Sequence, residues 1–207
     1  MKSELSQRTI NRLTQYYTIL RDYSKKEIKN ITSSSISSML EIDETQVRKD
    51  LKNIKCKGKC KVGYEVNELK TQIEDVLDYK VIKKAFVIGA GNLGQALSGY
   101  SKFREFGLDI VALFDIDENK IGKTINGKTI YNLCDLEKLI KKYQVNIGIL
   151  TTPNKVAQGV CDYMVKSGIK YIWNFAPSVL VAHKGVKIWQ ENLIGSFIEF
   201  CAIADIK

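Results

Sequence analysis

Lys84-Ala-Phe-Val-Ile-Gly-Ala-Gly-Asn-Leu-Gly-Gln-Ala-Leu97 decides how the second half of this chain folds. Ala85 to Ile88 is a short apolar run of the kind that forms a strand buried in a parallel sheet. Gly89, Gly91 and Gly94 follow as G-x-G-x-x-G. The first glycine makes a tight turn, the second lets a pyrophosphate approach the backbone, and the third lets helix pack closely on strand. The helix that follows directs its free N–H groups at the phosphates. A second apolar stretch, Asp109–Phe114, ends at Asp115, 21 residues beyond Gly94. A carboxylate about 20 residues on suits the ribose hydroxyls of an adenine dinucleotide. That acid disfavours a 2′-phosphate, and no arginine follows it closely. NAD(H) is therefore expected over NADP(H), with nearby Lys120 arguing the other way.

Downstream the alternation continues. Asp135–Tyr143 reads as a helix and Asn146–Leu150 as a strand. Thr151-Thr152-Pro153 is a loop, and Asn154–Ser167 a further helix. Lys170–Trp173 is a strand that leads into Asn174-Phe175-Ala176-Pro177. The chain's two prolines, Pro153 and Pro177, both follow the carboxyl ends of strands. Open α/β sheets bind ligands along that edge. Val186–Trp189 reads as a last strand. Asn192–Ala202 is apolar over much of its circumference, so as a helix it needs cover from more than one side. Either its own sheet or a partner subunit can supply that cover.

Upstream of Lys84 the period is helical. Ile10, Leu13, Tyr17, Leu20 and Tyr23 mark one helix of some twenty residues. Ser33 or Ser34 can cap a second, carrying Ile36 and Leu40. Asp43 can cap a third, with Val47, Leu51 and Ile54 facing inward. Gly58 and Gly63 punctuate the polar stretch Lys55 to Tyr64 and suit a hairpin or wing. Asn67 can cap a fourth helix with Leu69, Ile73, Val76 and Leu77. Two short helices, a turn between them and a ribbon afterwards resemble a winged helix-turn-helix.

The third helix also carries charge. Seven basic residues between Arg48 and Lys61 face one acid, Asp50. That surplus of six accounts for most of the chain's net charge of +9. Cationic side chains that neutralise phosphates release counterions and give sequence-independent DNA affinity. Arginine and lysine on a helix also reach guanine edges in the major groove.

Composition narrows the rest. With 207 residues, 44% hydrophobic and 27% charged, the chain is ordinary globular protein. Its apolar runs fall short of the roughly 18 residues a membrane span needs. Met1 to Ile10 has no apolar core of a secretory signal, so a soluble cytoplasmic protein with reduced cysteines is expected. Cys56 and Cys60 form a C-x3-C pair with no second ligand pair nearby, so no metal site is expected. A single histidine, His183, makes histidine-based acid–base catalysis a poor fit.

Taken together, these segments resemble the redox-sensing transcriptional repressors of the Rex family over nearly the full length. Those that carry the resemblance are Ser33–Ser34, Gln46-Val-Arg-Lys-Asp-Leu51, Gly63-Tyr64, Gly89-x-Gly-x-Leu-Gly94 with Ala96-Leu97, and Tyr100. Phe114-Asp-x-Asp117, Thr151-x-Pro153, Gly168-Ile169 and Asn174-Phe-Ala-Pro177 complete the set. The resemblance implies an α/β chain whose N-terminal winged helix-turn-helix domain spans 1–80. A Rossmann-type parallel-sheet domain would span 81–190, and a domain-swapped dimerisation helix 191–207. It implies a homodimer, with no membrane association, that binds double-stranded inverted-repeat operator DNA and releases it when NADH binds.

Residue by residue, Ser33, Ser34, Gln46, Arg48, Lys49, Lys52, Lys57 and Lys59 would face DNA. Gly89, Ala90, Gly91, Asn92, Leu93 and Gly94 would cradle the pyrophosphate, and Asp115 would hold the adenosine ribose. Thr151, Thr152, Pro153, Asn174, Phe175, Ala176, Pro177 and Tyr100 would lie on the nicotinamide side. The chain departs from the family in three places. Its wing has Ile54-Lys55 and Lys57-Gly58 where paired aromatic–glycine units are usual. Thr18 and Asn192 stand where an arginine and an aspartate are frequent. Two other readings stay open: a family member with an altered redox response, and a small NAD-dependent oxidoreductase with Tyr100 or His183 as proton donor. Against the oxidoreductase, the 127 residues from 81 onward leave no substrate domain.

Overall fold

Leu13, Tyr16, Tyr17 and Leu20 recur at helical spacing and form the buried face of α1 (Gln7–Lys25). The structure is a computed structural model that describes residues 5–78, 80–181 and 183–204. It divides into two units, Met1–Val81 and Ile82–Lys207. In the first, α1 packs along α4 (Val66–Leu77), whose Val66, Leu69 and Ile73 are fully buried. Between them lie α2 (Ser33–Leu40) and α3 (Glu44–Asn53), a helix-turn-helix pair closed by Ile36, Val47 and Leu51. Glu41, in the left-handed region at φ 52°, turns the chain from α2 towards α3.

Helix starts test the capping expectations. Asp43 caps α3, accepting from the Gln46 N–H at 3.2 Å. The cap of α2 is Thr32, which accepts from the Ser35 N–H at 3.0 Å, so Ser33 and Ser34 are already helical. Glu65 caps α4 by accepting from Asn67 and Glu68, while the Asn67 side chain accepts from Ser24 instead. The cause is the ribbon of β1 (Asn30–Ile31) and β2 (Tyr64–Glu65), in which Ile31 lies opposite Tyr64. Long-range pairing delivers Thr32 and Glu65 to the helix starts, and local composition cannot show it. Residues 55–63 form the wing. It is closed at its tip by the Lys59 N–H to Gly63 oxygen bond of 2.7 Å and its 2.9 Å return.

The second unit is a seven-stranded sheet in the order β5-β6-β4-β3-β7-β8-β9. The strands are β3 (Lys83–Ile88), β4 (Leu108–Asp115), β5 (Thr124–Ile125), β6 (Lys128–Asn132), β7 (Ile147–Leu150), β8 (Tyr171–Asn174) and β9 (Lys187–Gln190). All neighbours are parallel except β5 and β6. The helices are α5 (Asn92–Gly99), the short α6 (Lys102–Glu105), α7 (Leu136–Tyr143), α8 (Asn154–Ser167) and α9 (Leu193–Ile203). Phe86, Ile88 and Phe114 meet Leu136, Ala157, Cys161 and Met164 on one face. On the other, Ala85, Val87, Leu113 and Ile149 meet Leu97 and Phe103. Covering both faces is what a parallel sheet requires. The chain thus comprises a winged helix-turn-helix unit followed by a doubly wound Rossmann-type unit.

Two features depart from the expected strands and helices. β5 and β6 lie in a stretch, between Asp115 and Asp135, for which the sequence pattern suggested no element. α9 does not pack on its own sheet: Leu193, Ile194, Phe197, Ile198, Phe200 and Ile203 are all exposed.

Candidate functional site

From β3 the chain winds outward through β4 to β6, then returns to the other side of β3 as β7. The carboxyl ends of β3 and β7 therefore mark the reversal point of the sheet, where such folds bind ligands. A groove of about 670 Å³ opens there.

Gly89 leaves β3 at φ +108°, and a Cβ on it would lie 2.9 Å from the Thr151 carbonyl oxygen. Gly94 sits under the same turn, where a Cβ would come within 2.0 Å of the Gly89 oxygen. Gly91 meets nothing: beyond its own chain neighbours, no atom lies within 4 Å of where its Cβ would be. The first and third glycines are thus required by packing, whereas the second keeps space open at the groove. Thr151 Oγ1 donates to the Gly89 oxygen at 2.8 Å and ties the two strand ends together.

Two helices start at the groove without a side-chain cap, α5 at Gly91 and α8 at Pro153. Their first N–H groups lack internal partners and carry the positive end of the helix dipole. Thr152 Oγ1 is buried at the groove wall and has no hydrogen-bond partner. A buried hydroxyl without a partner costs about 1–3 kcal/mol, and a polar ligand would remove that cost. Open space at Gly91, unpaired N–H groups and an orphaned hydroxyl fit a dinucleotide with a pyrophosphate centre.

Asp115 closes the far end. Its Oδ1 accepts from the Ile116 and Asp117 N–H groups at 2.8 and 3.0 Å. Its Oδ2 accepts from the Ala90 N–H at 2.9 Å and from Lys120 Nζ at 3.1 Å. Burial works against the charge, but these four donors outweigh it and hold the carboxyl below its usual range. All four lone-pair directions are engaged. A further donor reaching Asp115 would have to displace one of them, and Lys120 is the single donor of the four that is not backbone.

Of the residues expected at the nucleotide, Gly89, Gly91, Leu93, Asp115, Thr151 and Thr152 line the groove, with Pro153, Phe175 and Pro177. Ala90, Gly94, Asn174 and Ala176 are buried beneath it, and Asn92 is exposed at the start of α5. Tyr100 is apart: it lines a separate cavity with Phe103 and Arg104. Sequence reasoning missed Ile116, Leu133, Val156 and Val160 as apolar walls. Val156 and Val160 lie at i and i+4 on α8, a spacing that could have found them.

On the helical unit, Ser34, Lys49, Lys52, Lys57 and Lys59 are exposed. Arg48 is tethered: its Nη2 bonds Glu44 Oε1 at 2.7 Å and its Nε donates to Ser33 Oγ at 3.2 Å. Ser33 is buried and donates to Glu44 at 2.8 Å. That hydroxyl, then the Arg48 guanidinium, lowers the Glu44 carboxyl pKa against the cost of burial. Gln46 turns inward to Asp50 at 2.9 Å. Ser33 and Gln46 thus brace α3, and its cations Arg48, Lys49 and Lys52 face solvent, as do Lys57 and Lys59 in the wing. Thr18 is exposed and bonds its own helix, while Asn192 caps α9 through the Gly195 N–H at 2.9 Å. Among the described residues, no three His, Cys, Asp or Glu side chains are placed to hold a metal ion. Nor is any helix among them long and apolar enough to cross a membrane.

Comparison with known proteins agrees with both units. Residues 4–52 match the family described as putative DNA-binding protein N-terminus. Residues 80–178 match the family described as CoA binding domain. The redox-sensing transcriptional repressor Rex of Treponema denticola is 42% identical over 189 residues, 91% of this chain and 90% of that protein. The Rex of Clostridium kluyveri is 33% identical over 207 residues, 100% of this chain and 99% of its own. Among solved structures, RSP in complex with β-NAD+ and operator DNA is similar at a TM-score of 0.91 and 31% identity, covering 97% of this chain and 93% of that one. RSP in complex with β-NADH gives 0.88 at 31% identity, covering 98% and 95%.

Proposed function

The chain belongs to the Rex family of redox-sensing transcriptional repressors, and we propose that it holds operator DNA on its helical unit and releases it when NADH fills its groove. The observation that carries this reading is the groove itself. Its open Gly91, two uncapped helix starts and orphaned Thr152 hydroxyl suit a dinucleotide. A relative similar over 97% of this chain has been solved with both β-NAD+ and operator DNA.

The roles follow from position. The N–H groups of α5 and α8 would bind the pyrophosphate, with Gly91 admitting it. Asp115 would take the ribose hydroxyls once Lys120 gives way. Thr152, Phe175 and Pro177 would surround the nicotinamide. NADH and NAD+ differ in that ring, neutral and puckered in one, cationic and planar in the other. A ligand shifts an equilibrium between two states only by its differential affinity for them. The residues around the ring therefore carry the redox signal. Arg48, Lys49 and Lys52 on α3, as held by Ser33, Gln46 and Asp50, would meet phosphates and base edges together with Lys57 and Lys59 in the wing.

The exposed apolar face of α9 supports a homodimer in which this helix enters the partner subunit. Transcription regulation, not catalysis, is the role that fits. Tyr100 stands outside the groove, and His183 is on the surface, paired with Asp162 at 2.8 Å. The cytoplasm, where DNA and the NAD(H) pool meet, is the expected location. Asn192 keeps a helix start neutral where relatives often place an acid, which favours a response with its own charge arrangement. A gel shift with inverted-repeat DNA tests the reading: NADH should release the DNA and NAD+ should not. Equal binding with both nucleotides would contradict it, and turnover of NADH with a metabolite would revive catalysis.

A further inference from the structure

The chain has two tryptophans, and the structure places them side by side. Trp173 on β8 and Trp189 on β9 are register partners. Both indole N–H groups donate to one oxygen, Glu191 Oε1, at 2.8 and 2.9 Å. Hydrogen bonds to a charged acceptor are stronger and more directional than neutral ones. Glu191 is also fixed through its backbone, whose N–H donates to the Asn174 oxygen at 2.8 Å.

This cluster lies between two other parts of the unit. On one side is the groove: the Trp173 ring packs on Phe175, a lining residue, with centroids 4.9 Å apart. The loop after β8 is pinned to the same strand end, because Asn174 Nδ2 donates to Gln190 Oε1 at 2.7 Å. On the other side, Glu191 directly precedes Asn192, the cap of the exposed apolar α9. Phe175, Trp173, Glu191 and the start of α9 thus form a continuous chain of contacts.

From this geometry we infer that Glu191 is a positioning residue, which couples the nicotinamide end of the groove to the C-terminal helix through two indole hydrogen bonds. The inference rests on the reading that NADH controls operator binding. Glu191 does not line the groove. Its role is to make one rigid piece of the groove loop and the helix start, since coupling needs an element that both sites bias.

The test uses the full chain and labelled inverted-repeat DNA. Operator affinity is measured at saturating NAD+ and at saturating NADH, for the wild type, Glu191→Ala and Glu191→Gln. Glu191→Ala should reduce the NAD+/NADH affinity ratio at least fivefold, with NADH affinity unchanged within twofold and the oligomeric state retained. Glu191→Gln keeps a carbonyl for the indoles and should restore most of the ratio. If Glu191→Ala does not fold, Trp189→Phe alone takes its place and should lower the ratio. A wild-type ratio in a folded Glu191→Ala protein overturns the coupling role and leaves the sensor standing. A wild type that ignores NADH overturns both.

Discussion

Arg12 on α1 clasps Asp50 on α3 with two hydrogen bonds, Nε to Oδ2 at 2.6 Å and Nη2 to Oδ1 at 2.8 Å. Asp50 is fully buried, and it also accepts from Tyr16 at 2.9 Å and Gln46 at 2.9 Å. Burial, and then the bond to Asp50, push the Tyr16 phenol well above its usual value. The one acid inside the basic stretch is thus a structural anchor. Removing one partner from a buried pair typically costs about 3–5 kcal/mol, because the other charge is stranded. Arg12 is one-fifth exposed, so water softens its loss, and Arg12→Ala should destabilise the helical unit by about 3 kcal/mol. Urea unfolding followed by circular dichroism measures this. Operator binding should fall with it while NADH titration is unchanged. A variant as stable as the wild type would show that the clasp does not hold α3.

The glycine turn separates packing from binding. Gly94→Ala drives a methyl into the Gly89 oxygen and should lower thermal stability by several degrees and weaken NADH binding. Gly91→Ala meets nothing and has an ordinary φ of −79°, so its melting temperature should match the wild type. Its methyl would nevertheless stand where the proposed site admits the pyrophosphate, so NADH affinity should fall about tenfold or more, about 1.4 kcal/mol. Equal NADH affinity in folded Gly91→Ala would place the phosphates elsewhere.

Asp115 gives a pH dependence of definite sign. Its folded pKa is lowered, so its stabilisation is fully present above the unfolded carboxylate value, about 3.9, and is lost as pH falls through the lower folded one. The stability gap between wild type and Asp115→Ala should therefore stay constant from about pH 5 to 8 and shrink below about pH 4. Melting curves across that range measure it, and a gap that changes near neutrality would contradict the assignment. At neutral pH the variant should bind NADH about tenfold more weakly, the loss of about one charge-assisted hydrogen bond.

Exposed lysines predict a salt effect. Each phosphate neutralised contributes about 0.9 to the slope of log affinity against log salt concentration. Single alanine variants of Lys49, Lys52, Lys57 or Lys59 should each flatten that slope by up to about one and weaken operator and unrelated DNA alike. Polarisation at several salt concentrations checks it. A lysine whose removal leaves the slope unchanged does not touch phosphate.

Much of this molecule is legible in its sequence, and the misses have physical causes. Gly89, Gly94 and Asp115 declare themselves because strand–turn–helix chemistry constrains few positions tightly. Thr32 and Glu65 do not, because the ribbon that installs them as caps joins residues more than thirty apart. β5 and β6 are signalled by Ile125-Asn126-Gly127-Lys128: Asn-Gly at the centre of a two-residue hairpin loop, both residues with positive φ, at 52° and 72°. Overlooking them also hides Leu133, which follows β6 into the groove wall. The role of Asp50 is hidden because its partner Arg12 is 38 residues away, so that counting charge along the chain shows it only as one acid among basic residues. The apolar circumference of α9 is clear from sequence, and the structure decides that its own sheet leaves it uncovered.

The central claim is that groove and operator are linked, and linkage is reciprocal: whatever factor NADH imposes on operator affinity, operator must impose on NADH affinity. The most direct measurement is therefore an NADH titration by nucleotide fluorescence, with and without saturating inverted-repeat DNA. NADH should bind more weakly in the presence of operator, by the same factor by which NADH weakens operator binding. Identical NADH affinity with and without operator would contradict the account.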